Sequence, residues 1–165
     1  AKAARLIGSG SILQQVIEAQ RILAERFGVA AEVYSAPSFP LLRRDALEAD
    51  RWNRLHPASK ARVPYVAGVL GQDGGPIVAT SDWMKVIPQM VAPWVPATFV
   101  ALGTDGFGRS DTRESLRAFF EIDPASIAAA TMAALARDGA VTGKAAAAAI
   151  KDLGIDPDKV DPAAV

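Results

Sequence analysis

The segment Leu102–Leu116, LGTDGFGRSDTRESL, constrains this chain most, because it puts a strand end, a glycine-rich turn and a helix start in immediate succession. The run leading into it, Thr98–Leu102 (TFVAL), is apolar and partly β-branched, the composition of a short buried strand. Gly103 ends that run. With Gly106 and Gly108 it permits backbone angles or close approaches that a Cβ forbids, so a tight loop is expected. Asp111, with Glu114 three residues on, has capping-box spacing, and Ser110 is an alternative cap for a helix expected from near Thr112. Leu116, Phe119 and Phe120 give that helix its apolar stripe.

The same alternation opens the chain. Ala4–Ile7 is a short apolar run stopped by Gly8, after which Ile12, Val16, Ala19, Ile22, Leu23 and Phe27 recur at helical spacing. Gly28 is a helix-terminating C′ residue, and Ala31–Ser35 is a second strand, so a β-α-β unit with a parallel pair is expected. Pro37 and Pro40 are expected to break the chain, Leu41–Leu55 to form a short helix, and Pro57 and Pro64 to flank a basic connector. Ile77–Thr80 is a third strand, followed by a helix capped by Ser81 or Asp82 and carrying Trp83, Val86, Ile87 and Met90. Two alanine-rich helices, Pro124–Ala136 and Thr142–Leu153, are separated by Asp138-Gly139, and the tail from Asp156 is expected to be loosely ordered. The fold class is therefore α/β, and residues 1–165 are one domain.

Composition excludes several functions. There are 18 Lys plus Arg against 18 Asp plus Glu, so no net field draws in nucleic acid or an anionic membrane. The absence of cysteine removes disulfides, thiolate zinc sites and a thiol nucleophile. No run of about 18 apolar residues offers a spanning helix, and the N-terminus has no apolar secretory core. A cytoplasmic location is the expectation. Half of the residues are hydrophobic, which hints at apolar surface covered by something outside the chain, and a start at Ala1 suggests a piece of a longer polypeptide.

Gly8-Ser9-Gly10-Ser11 sits at a strand-to-helix junction, where free amides and the helix dipole could hold a phosphate. Leu13 stands where a dinucleotide fingerprint needs its third glycine, and the Walker lysine is missing, which favours a tight turn capped by Ser9 or Ser11. A self-standing anion- or nucleotide-binding module remains the alternative. His56 is the only histidine, lies in a charged proline-flanked loop, and has no GxSxG serine elbow to serve. Asp105 and Asp111 could bind Mg²⁺ through carboxylate oxygens, although capping and turn chemistry explain both more simply. Arg109 can pair with either aspartate or with a neighbouring domain. Trp52, Trp83 and Trp94 are read as core or interface anchors. A face lined by some of Trp94, Phe107, Leu55 and Val63 is expected to be apolar, with the RWNRLHP loop (His56) and the glycine loop (Asp105, Arg109) at its rim.

GTDGFGRSDTRESLRAFFEID, with GSGSIL at Gly8, VYSAPSF at Val33, RWNRLHP at Arg51 and ATSDWMK at Ala79, resembles the C-terminal, transketolase-like third domain of homodimeric pyruvate dehydrogenase E1 components. The resemblance runs from about Arg5 to Val160. It implies a three-layer α/β fold, a mixed but mostly parallel sheet flanked by helices, and a structural, dimer-supporting role. It implies no catalytic, cofactor-binding or metal-binding residue in this chain: thiamine diphosphate and Mg²⁺ belong to other domains of the full enzyme. That enzyme would decarboxylate pyruvate and acetylate the lipoyl group of the dihydrolipoyl acetyltransferase (E2) component. The implied partners are the remaining domains of E1, a second E1 subunit and, through the full complex, E2. The C-terminal domain of a transketolase is a further alternative, and the pair RWNRLHP and GTDGFGRSDTRESL favours the E1 reading over it.

Overall fold

A computed structural model describes residues 2–71 and 74–165. Four strands, β1 (Ala3–Gly8), β2 (Ala30–Ser35), β3 (Ile77–Thr80) and β4 (Phe99–Leu102), form a sheet in the order β2-β1-β3-β4. All three pairings are parallel, so the antiparallel component allowed by a mixed sheet is not present among the described residues. Along β1 the register sets Leu6 beside Val33 and Val78, and Ile7 beside Tyr34 and Ala79.

Period-2 alternation sends those two sets to opposite faces. Ala4, Leu6 and Val78 pack with α1 (Leu13–Phe27), α6 (Pro124–Arg137) and α7 (Gly143–Asp152) through Val16, Leu23, Ile127, Leu135 and Ala149. Ile7, Ile77 and Ala79 pack on the other side with Phe39 of α2 (Phe39–Leu55) and with Val66 and Leu70 of α3 (Tyr65–Leu70). The three layers follow directly.

Alanine shapes the first face, since its small side chain lets α6 and α7 lie close together while keeping high helix propensity. Asp123 and Thr142 cap these helices by accepting from the amides of Ser126 (3.2 Å) and Ala145 (3.1 Å). Gly28 takes φ 63° after α1, and the Val29 amide donates back to the Leu23 carbonyl, a left-handed helix ending.

Several local expectations are corrected. Pro40 does not break the chain. It occupies the first turn of α2, where no amide is needed, and Ser38 caps that turn. The connector after Pro57 ends in the unforeseen helix α3 at Tyr65. The helix expected from Ser81 shrinks to α4, Val86–Gln89, because Ser81 Oγ accepts from the Trp83 amide at 3.1 Å and closes a turn instead. Neither Ser9 nor Ser11 caps α1 with its side chain.

The tail from Asp156 is docked. Lys159 Nζ donates to the carbonyls of Ala118 (2.9 Å) and Phe119 (2.6 Å) at the end of α5 (Arg113–Phe119), and Pro162 is buried. Glu121, at φ 60°, turns the chain from α5 into α6 at a strain of about 1–2 kcal/mol, with Lys159 Nζ 3.5 Å from its carboxylate. This turn divides the apolar stretch Arg113–Arg137 into helices of 7 and 14 residues. The longer one spans about 21 Å, short of the roughly 30 Å hydrocarbon core of a bilayer.

Arg5 is the other unforeseen feature. It is buried within β1 and donates to the carbonyls of Gly71 (3.4 Å) and Gly75 (2.7 Å), so a cation in the middle of an apolar strand holds those two glycines ahead of β3. Charge-assisted bonds to carbonyls make that burial tolerable.

Candidate functional site

The loops after β1, β3 and β4 converge at the carboxyl end of the sheet, where open α/β folds place ligands beside the strand pair at which the order reverses, here β1 and β3. The loop after β1 carries Ser9 to Ser11, and Gly10 adopts φ 57°. Ser11 Oγ donates to Asp82 Oδ2 at 3.4 Å. That carboxylate sets a negative charge beside the start of α1, where a phosphate would have to bind, and so disfavours an anion there.

The other two loops are knitted together. Thr104 donates its amide to the Trp83 carbonyl (2.9 Å) and its hydroxyl to the Asp82 carbonyl (3.0 Å). Asp105 accepts from the Lys85 amide at 3.3 Å and lies 3.7 Å from Lys85 Nζ, so its oxygens are spent on fixing this turn. A Cβ on Gly103 would collide with the carbonyl of Trp83 and the amide of Lys85, which is why the strand can end only in glycine here. Gly106, at φ 103°, lies against the Pro162 carbonyl of the docked tail.

Arg109 pairs with neither aspartate. Its guanidinium lies over the Phe119 ring, 4.1 Å from the centroid, with Lys159 Nζ 5.4 Å from the same ring. The helix cap is Thr112, whose hydroxyl accepts from the Ser115 amide at 3.2 Å, and Asp111 turns back onto the Thr112 amide at 2.7 Å. Asp111 and Ser110 are therefore not the cap, and Glu114 has no capping box to complete. A cleft of about 450 Å³ between these loops is lined by Ser11, Asp82, Thr104, Asp111, Arg113 and Arg117, whose charges balance.

His56 lies far along the chain from this rim, at the end of α2. Its ring stacks on Trp52 at 4.4 Å and its Nδ1 is 2.9 Å from the Trp52 carbonyl, with Arg62 over the other ring system. Trp94 is half-buried and donates Nε1–H to Asp50 at 2.8 Å. Trp83 is mostly exposed, which removes the core reading for it and leaves the interface one, and Phe107, Leu55 and Val63 are exposed, as an apolar face requires.

Asp82, Asp105 and Asp111 are engaged separately by Ser11, Lys85 and Thr112, and the described residues contain no group of three His, Cys, Asp or Glu that could hold a metal ion.

The transketolase-like TK C-terminal domain family matches residues 1–123, three quarters of the chain. The chain belongs to that family. It is also 48% identical over 159 residues to pyruvate dehydrogenase E1 components from Pseudomonas aeruginosa and from Escherichia coli K12, covering 96% of this chain, and 40% identical over 156 residues to that from Mycolicibacterium smegmatis. These likenesses run well past residue 123 and so take in most of α6, α7 and the tail. The chain spans only 17–18% of the length of these relatives.

Proposed function

We propose that this chain is the C-terminal domain of a pyruvate dehydrogenase E1 component, with a structural role in assembly and no catalytic group of its own. The observation that carries the reading is the reach of the likeness. It extends beyond the family match into the helices and tail that complete the first face of the sheet. The geometry supports the non-catalytic half of the proposal, since His56 is stacked on Trp52 and each rim aspartate is committed to a loop contact. On this reading the thiamine diphosphate-dependent decarboxylation of pyruvate belongs to the remainder of the enzyme. The partners of this domain are that remainder, a second E1 subunit and, through the whole complex, the E2 acetyltransferase.

Two measurements test it. Calorimetric titration of the chain with thiamine diphosphate and Mg²⁺ is expected to show no saturable binding, and micromolar binding at one site would overturn the non-catalytic assignment. A chimera in which this chain replaces the matching region of the Escherichia coli E1 component is expected to form a dimer and decarboxylate pyruvate. A chimera that cannot assemble would remove the E1 reading.

A further inference from the structure

Four large apolar side chains stand in solvent on the two interlocked rim loops and the start of α4: Phe107 at 81% exposure, Trp83 at 67%, Met84 at 56% and Val86 at 53%. Exposed aromatic and methionine side chains grouped in this way mark contact surfaces on proteins. The segments that supply the first three, ATSDWMK and GTDGFG, lie some twenty residues apart in sequence and are joined by the Thr104–Trp83 and Asp105–Lys85 bonds, and Val86 follows the first of them.

We propose that this rim is the surface on which the rest of the E1 polypeptide docks, a proposal that rests on the reading of the chain as an E1 domain. Three observations select that occupant. The relatives are more than five times as long as the chain, so most of such an enzyme lies outside it and must meet it somewhere. Lys85 pairs with Asp105 and the remaining charge of the two segments is the Asp82 carboxylate, a net −1 that offers nothing to an anionic membrane or nucleic acid and leaves the apolar side chains for a protein surface. It is also pre-ordered by backbone bonds and by the tail behind Gly106, so docking orders little new chain. The groove between α2 and α3 has exposed Leu41, Tyr65 and Val69 and a volume of about 630 Å³. The Tyr65 amide donates to Asp45 Oδ2 at 2.7 Å between its two walls, and the groove serves as the internal control.

Oxidative footprinting of the isolated chain and of the chimera described above tests the assignment. Trp83, Met84 and Phe107 are expected to react at least ten-fold more slowly in the chimera, while Leu41 and Tyr65 react as they do in the isolated chain. Protection of Leu41 and Tyr65 with Trp83, Met84 and Phe107 unchanged would overturn the docking surface and leave the E1 reading standing. Failure of the chimera to assemble would overturn both. Sedimentation of the isolated chain supplies a second measurement: a monomer at micromolar concentration is expected, and a dimer abolished by Phe107→Asp would assign the patch to a second copy instead.

Discussion

The two faces of the sheet are finished to different degrees. On one, α1, α6 and α7 close over Ala4, Leu6 and Val78 with alanine and aliphatic side chains, and the tail is clamped behind α5. On the other, α2 and α3 leave Leu41, Tyr65 and Val69 substantially exposed around an open groove, and Leu47, Leu55 and Val63 of α2 and the connector are exposed as well. Small residues permit close helix approach, whereas a chain punctuated by Pro57 and Pro64 cannot lay a continuous cover. Both faces bury a core, and only the second keeps an open apolar groove beside it.

The largest effect expected from this difference is at Leu23, fully buried on the closed face. Leu23→Ala should lower stability by about 2–5 kcal/mol in urea melts, whereas Leu41→Ala on the open face should stay within about 0.5 kcal/mol. Equal losses would erase the distinction. The closed side is also predicted to include the tail. Gly106→Ala forces a side chain into a left-handed position against Pro162 and should cost about 1–3 kcal/mol and expose the tail to protease, while Gly108→Ala, with open space around it, should be silent. If both are silent, the tail is not part of the closed side.

A smaller effect sharpens the boundary at α5: Thr112→Ala should cost about 1 kcal/mol and Asp111→Ala less than half of that. The smallest belongs to the open face. Tyr34 Oη donates to Glu32 at 2.7 Å, and this bond, with partial burial, pushes the phenol above its usual range. A raised pKa in the folded state contributes stability that is complete below about pH 10 and is lost as pH rises through the shifted value. Tyr34→Phe should remove that alkaline decline, as seen by thermal melts at pH 9 and 11.

Legibility in sequence follows the range of the interaction. Gly28 and the spacing of Val16, Ala19 and Leu23 announced α1 because a helix face and its ending are local. Capping at α5 was ambiguous by one or two residues, since Ser110, Asp111 and Thr112 are consecutive and all can cap. Pro40 was misread because proline marks both the interruption of a helix and its first turn. The apolar pattern at Trp83 and Val86 suggested a packed helix, but the Ser81 turn and the distant Thr104 and Asp105 hold that segment open. Buried Arg5 carried no local sign, as its partners are carbonyls some seventy residues away. The rim became visible only when its loops were brought together.

The position of α6 has a consequence for how the domain is made. Every strand has been synthesised by Leu102, yet α6 packs on β3, β4 and α1 and begins only at Pro124. A nascent chain that has released the whole sheet still exposes Val78 and whatever part of this face α1 does not cover, and at about 5–20 residues per second it does so for seconds before the cover arrives. In that interval the unfinished face presents the kind of apolar surface chaperones take up, and truncation after residue 123 would make the interval permanent.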